Sequence, residues 1–363
     1  MTQLRVPGPT PCPPEVLKAG SLQMINHRGP EFHEIITQVT EDMKKVFQTK
    51  NDVLLLTGSG TGGLESAVVN LFSPGDKVLA VSIGVFGDRW ASIAKTFGVD
   101  VINLKAEWGK AADPDAVKKA IKDNPGIKAV FITHNETSTG VTNDLGSLAK
   151  VVKEAGKLLV VDAISSLSSV PLPVDKWNCD VVITGSQKGW MVPPGMAFVS
   201  VSAEAWKAQA VAKIPRFYWD YARAKKSYDE KKENPWTPAV SIIFQLSTAL
   251  KMMHKEGIEN IFARQIKIGQ MTRDGIKKLG LPLFADPKYA SNTVTSVSIP
   301  EGLDGKKLRQ VLRDEYKVVI AGGQQTLDGK IFRIGHLGMV YENDIKEILS
   351  AIEKVLPMAG FKK

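Results

Sequence analysis

Short apolar runs rich in β-branched residues recur along the first two-thirds of the chain: VLLLT (53–57), KVLAVS (77–82), VDVINL (99–104), AVFITH (129–134), LLVVDA (158–163), DVVITGS (180–186) and MAFVSVS (196–202). Their length and composition predict strands. Amphipathic stretches separate most of them. In DLGSLAKVVKEAG (144–156), for instance, Leu145, Leu148, Val151 and Val152 share one helical face. Strands that are apolar throughout and alternate with helices predict an α/β fold with a mainly parallel seven-stranded sheet covered on both faces. The last two runs are joined by a short loop alone and read as an antiparallel, hairpin-like exception.

The texture changes near residue 240. A long helical region, SIIFQLSTALKMMHKEGIENIFARQIKIGQMTRDGIKKLG, is interrupted near Gly257. A strand (293–300), a helix (305–316), the runs KVVIAGG (317–323) and IFRIGHLG (331–338), and a helix from Glu342 follow. The expected division is an extended N-terminal segment over 1–20, a large domain over 21–240, and a connecting helix with a smaller C-terminal α/β domain over 241–363. The proline-rich opening VPGPTPCPPEV (6–16) reads as extended and as a candidate to cross between the domains. No internal repeat is apparent.

Composition narrows the class. A chain of 363 residues, 43% hydrophobic and 23% charged, buries a large core. Two cysteines, Cys12 and Cys179, make no disulfide framework and suit a reducing cytoplasm. The N-terminus has no signal-peptide pattern, and the most apolar runs, such as KLLVVDAI, are far shorter than a bilayer span. The net charge of +9 invites a nucleic-acid reading. The lysines are scattered, however, and the densest patch, RAKKSYDEKKE (223–233), is diluted by acids, so a solvated basic surface that draws anionic metabolites accounts for the charge better. The five histidines (27, 33, 134, 254, 336) show no metal-ligand spacing.

Three features carry candidate chemistry. In LLLTGSGTGGLESAVVNLF (54–72), a strand runs through a glycine-rich turn into a helix, whose first N–H groups suit a phosphate. The dinucleotide alternative lacks its ribose-binding acid after the next strand, and no Walker lysine follows, so a single phosphate monoester fits better. A tight turn that binds nothing is the other alternative. Asp162 ends a buried strand, where α/β sheets bind ligands; a helix N-cap is its plain alternative. Lys188, in GSQKGW, follows the next strand, a poor place for an amine unless chemistry needs one. Phosphate cradle, strand-end acid and strand-end lysine together are what pyridoxal 5′-phosphate requires: the lysine makes the Schiff base and the acid keeps the ring nitrogen protonated. Desolvation beside Trp190 is expected to lower the amine's pKa.

The ordered motifs PGPT (7–10), GSGTGGLE (58–65), GVFGDR (84–89), HNETSTG (134–140), VDAISSL (161–167), GSQKG (185–189) and FRIGHLG (332–338) resemble the class V aminotransferases of the fold-type I pyridoxal-phosphate enzymes, nearest the alanine–glyoxylate and serine–glyoxylate (serine–pyruvate) branch. The resemblance implies Lys188 as Schiff-base lysine and Asp162 as partner of the pyridine nitrogen. It also implies Ser59, Gly60 and Thr61 as the phosphate turn with Gln187 nearby, Phe86 stacked on the ring, Thr137 close to it, and Arg333 on the substrate α-carboxylate. A homodimer is implied too, with Thr237 reaching the other subunit's phosphate. Three residues before it the family often has Tyr; here Asn234 stands. The implied reaction moves an amino group from alanine or serine to glyoxylate or pyruvate. Ureidoglycine–glyoxylate and aminoethylphosphonate–pyruvate aminotransferases share the scaffold. A non-catalytic subunit retaining the fold is the alternative of a different class, and loss of Lys188 or Asp162 would be its signature. A cysteine desulfurase needs a mobile cysteine, which neither Cys12 nor Cys179 suggests.

Overall fold

A computed structural model describes residues 3–361. Seven strands form the main sheet: β1 (Asp52–Thr57), β2 (Lys77–Ser82), β3 (Asp100–Lys105), β4 (Ile127–Thr133), β5 (Leu158–Asp162), β6 (Val181–Gly185) and β7 (Met196–Val201). Their order is β1-β7-β6-β5-β4-β2-β3. All neighbours pair in parallel except β7, which runs antiparallel to both β6 and β1. The expected hairpin exception is therefore real, and β7 also closes over the first strand.

Both faces of the sheet are covered along six of its strands, which is why these do not alternate in polarity; the edge strand β3 is the exception, with every residue exposed or half-buried. Leu54 and Leu56 enter the apolar cluster beneath helices α1 (Gly60–Leu71) and α2 (Val85–Thr96). Val53 and Leu55 enter the opposite cluster with residues 32–47 and helix α3 (Val240–Glu256). Gly63 brings α1 close to the sheet: a Cβ there would meet Ile183 Cγ2 at 2.7 Å and Ala197 Cβ at 3.0 Å.

The long helical region breaks where expected. Gly257, at φ 86°, ends α3 and starts α4 (Ile258–Lys278). Beyond it a separate apolar cluster forms between α4, helices α5 (Gly305–Asp314) and α6 (Glu342–Val355), and a small antiparallel sheet. That sheet has the order β8-β10-β9, with β8 Val294–Ser298, β9 Ala321–Gly322 and β10 Ile331–Gly335.

Two local expectations change. KVVIAGG divides: Ala321–Gly322 pairs with β10, whereas Val318–Val319 pairs in parallel with Gln3–Leu4. The N-terminal segment is not extended through residue 20, because Pro14–Ala19 forms a helix, with Pro14 supplying a ready-set φ at its first position. Before that helix the chain does cross the molecule. Gly335 N donates to Arg5 O at 2.7 Å and Thr10 N to Gln187 O at 3.0 Å, and the Arg5 guanidinium pairs with Asp344 at 2.6 Å. Among the described residues no helix is long and apolar enough to cross a membrane.

Candidate active site

The C-terminal ends of β1, β2, β4, β5 and β6 face one edge of the sheet, and the loops leaving them line one cavity. Ser59, Gly60, Thr61, Phe86, Thr137, Asp162, Gln187 and Lys188 all line it. This is the edge where open α/β sheets present ligand sites, because helix N-termini point there.

Ser59 caps α1, its hydroxyl accepting from Gly62 N at 3.3 Å. The amides of Gly60 and Thr61 open the helix and have no acceptor within it. The turn's glycines stand where a side chain would not fit. A Cβ on Gly58 or Gly62 would strike the Trp219 ring (2.6 and 2.9 Å), and one on Gly60 would strike Ile164 (2.7 Å). They make room for neighbouring side chains, while the helix amides remain the groups available to an anion.

Asp162 is 3% exposed, and its Oδ1 accepts from Ile164 N at 2.9 Å. Burial pushes its carboxyl up to about 7; Glu136 adds to the rise, while the Ile164 N–H, Lys188 and Arg89 oppose it. Burial lowers the Lys188 amine to about 8, with Asp162 opposing and Arg333 assisting. An amine near neutrality is available as a base, and a lysine in water is not.

The group covering Lys188 is not Trp190. That indole lies in the core, 5.8 Å from Phe47 and 5.2 Å from Phe198 between ring centres, and donates to Thr184 Oγ1 at 3.1 Å. The 7–10 segment lies over the lysine instead. Lys188 Nζ donates to Pro7 O at 2.6 Å, and Thr10 Oγ1 to Lys188 O at 2.9 Å. A Cβ on Gly8 would overlap the lysine's Cδ, Cε and Nζ.

Arg333, on β10, is 6% exposed. Its guanidinium donates to Gly322 O (2.8 Å), Thr137 O (3.0 Å) and Gln324 Oε1 (3.2 Å). Among the described residues no carboxylate lies within ion-pair distance of it. Burial lowers its pKa to about 10, and Glu136 counters the shift. A buried guanidinium held by neutral acceptors alone is suited to receive a carboxylate. Thr237 stands apart from the cavity: it is exposed, beside Thr57, Trp219 and Trp236 on the outer side of the α1 turn. Asn234 is spent on its own chain, donating to Leu55 O at 3.1 Å.

Arg89, Asn135, Ile164 and Ser165 also line the cavity and were not singled out from the sequence. All four lie within the quoted motifs GVFGDR, HNETSTG and VDAISSL, which was the available signal. Arg89 rests over the Phe86 ring at 4.8 Å. The Asn135 amide is fully engaged, donating to Ser165 Oγ and Thr293 Oγ1 and accepting from Thr142 and Ser291. His134 lies outside the cavity; burial lowers its pKa to about 4, and its backbone N–H donates to Asp162 O at 2.9 Å. Neither cysteine lines the cavity, and burial pushes the Cys179 thiol up to about 12.

An amine and a carboxyl group buried together at strand ends, beside a helix N-terminus and a buried guanidinium, have the chemistry that a group-transfer site needs. The chain belongs to the class V aminotransferase family, whose model matches residues 4–341. One curated relative is the "Soluble hydrogenase 42 kDa subunit" of Anabaena cylindrica, 45% identical over 360 residues, covering 98% of this chain and 94% of that one. The serine–glyoxylate aminotransferase of Methylorubrum extorquens is 37% identical over 375 residues, covering 99% and 92%. Among solved structures, the ureidoglycine–glyoxylate aminotransferase of Bacillus subtilis matches with a TM-score of 0.96 at 30% identity, covering 99% and 94%. Family membership implies pyridoxal 5′-phosphate. The residues fit that group: an amine for the aldehyde, a buried acid for the ring nitrogen, helix amides for the phosphate, and at Gln187 a buried Oε1 without a hydrogen-bond partner.

Proposed function

We propose that this aminotransferase moves an amino group from a small amino acid, alanine or serine, to glyoxylate or pyruvate. The observation that carries the reading is the convergence of Lys188, Asp162 and the α1 N-terminus on one cavity, with Arg333 behind Thr137. The cofactor, when bound, supplies an electron sink for the pair left at the substrate Cα. Ser59 and the amides of Gly60 and Thr61 would hold its phosphate, Asp162 would keep the ring nitrogen protonated, and Phe86 would pack on the ring. Lys188 Nζ takes the proton from the substrate Cα and returns one during transfer. Arg333 orients the α-carboxylate through its planar fork, and the 7–10 segment keeps water from the amine.

The working unit in this reading is a homodimer, in which Thr237 of each subunit serves the other's phosphate turn. Phe217 and Tyr218, 67% and 45% exposed, stack with Trp236 beside Thr237. Exposed aromatic groups of this kind favour an interface.

The relative named as a hydrogenase subunit favours a second reading, a non-catalytic subunit on the same scaffold. Both Lys188 and Asp162 are retained here and share the cavity, which argues for transfer. The deciding experiment offers alanine, serine, ureidoglycine and 2-aminoethylphosphonate as donors to glyoxylate and pyruvate, and follows the oxo product. Turnover with alanine or serine supports the proposal. Turnover with another donor alone redirects it, and none with any pair favours the subunit reading.

A further inference from the structure

Glu136 is a charged side chain to which the mechanism above gives no part. It is fully buried, and among the described residues no cation lies within ion-pair distance of it. Its charge is met by hydrogen-bond donors instead. Oε2 accepts from Phe86 N at 3.1 Å and Gly87 N at 3.2 Å; Oε1 accepts from Ser138 N at 3.0 Å and Ser138 Oγ at 2.6 Å. Ser138 Oγ also accepts from Val85 N at 3.0 Å. The first three amides of α2 are thus capped by a loop some 50 residues away, and the N-cap residue, Gly84, makes no side-chain cap. The positive end of the helix favours the anion there. Gly84 has no space for a side chain, since a Cβ would lie 2.5 Å from both Glu136 Cγ and Ser138 Oγ.

The same carboxylate sits between two walls of the cavity. On one side it holds the backbone of Phe86. On the other it belongs to the loop whose next residue, Thr137, lines the cavity and gives its carbonyl to Arg333. We propose that Glu136 is a positioning residue that sets the height of the Phe86 ring relative to Thr137, and so the width of the slot for a planar aromatic ring. The proposal rests on the reading of this cavity as the cofactor site. Replacing the carboxylate by an amide leaves one oxygen for four donors and points an NH2 at the remainder, so either the helix amides or Ser138 loses its acceptor.

The test titrates the apoprotein with two probes. 4′-Deoxypyridoxine phosphate carries the ring and phosphate but no aldehyde, so it cannot join Lys188; inorganic phosphate reads the α1 turn alone. Glu136→Gln is expected to weaken the ring compound by about tenfold or more while phosphate binding stays within about twofold. Glu136→Asp, which keeps the charge but is one methylene too short to span helix and loop, is expected to show the same selective loss, and it carries the test if the Gln variant does not fold. In a Phe86→Leu background, the Glu136 effect on the ring compound should largely vanish. Equal loss for both probes marks a general structural role and overturns the proposal, as does no loss for either. A wild-type apoprotein that binds neither probe overturns the cofactor-site reading itself.

Discussion

Lys188 Nζ donates a 2.6 Å hydrogen bond to the carbonyl of Pro7, a residue 181 positions away in the chain. The contact ties the N-terminal segment, which is also paired with Val318–Val319 and bonded to Gly335, to the amine at the centre of the proposed chemistry. A shift of that segment moves the lysine's immediate surroundings.

Gly8 makes the contact possible. Its φ of 139° disfavours a side chain, and a Cβ would overlap the lysine. Gly8→Ala should introduce strain of about 1–3 kcal/mol and displace the amine. Borohydride treatment should attach the cofactor to the peptide containing Lys188 in the wild type, and at a clearly reduced rate in the variant. Mass spectrometry that finds the label on another lysine would remove Lys188 from its role.

Asp162→Asn should keep part of its cofactor affinity and lose transamination, because a neutral amide does not hold the ring nitrogen protonated. The same variant tests the burial of the acid. With the folded pKa raised from 3.8 to about 7, the native state binds the proton more tightly than the unfolded chain. The stability contribution is full below 3.8 and is lost as pH rises through 7. In thermal melts of the apoproteins, Asp162→Asn should therefore gain on the wild type between pH 4 and 8. A constant gap across that range would contradict the raised pKa.

Arg333→Ala should impair both half-reactions together, since every amino and oxo acid substrate presents the same carboxylate. A charge-assisted, two-pronged contact in a buried setting corresponds to on the order of 2–4 kcal/mol, about 30- to 1,000-fold in kcat/KM. Lysine should rescue poorly, because it supplies charge without the planar fork. Single-turnover kinetics with alanine and with glyoxylate make the check; loss of only one half-reaction would assign Arg333 to side-chain selection.

Thr237 should matter only in an assembled dimer. Sedimentation velocity is expected to show a dimer, and Thr237→Val to lower cofactor affinity without altering that state. Full activity in a monomer at high dilution would overturn the interface reading.

What could be read along the chain were features carried by neighbouring residues. The seven strands follow from apolar runs of strand length, the α1 turn from Gly and Ser between an apolar strand and a helix, and Asp162 and Lys188 from polar groups placed at the ends of buried strands. The break at Gly257 belongs with them, since a glycine is free to take positive φ. Partnerships across the fold were not readable in the same way. Nothing local in HNETSTG states that Glu136 caps a helix 50 residues earlier, and nothing in VPGPT states that Pro7 receives a proton donor from Lys188. KVVIAGG looks like a single strand until Gln3–Leu4 and β10 each claim part of it. Nothing in the glycines of 58–63 states that Trp219 and Ile164 pack against them. These outcomes depend on the order in which strands pair, because sheet order sets which loops meet at the edge. A side chain's type states what it can bond; only the packed chain supplies the partner within 3 Å.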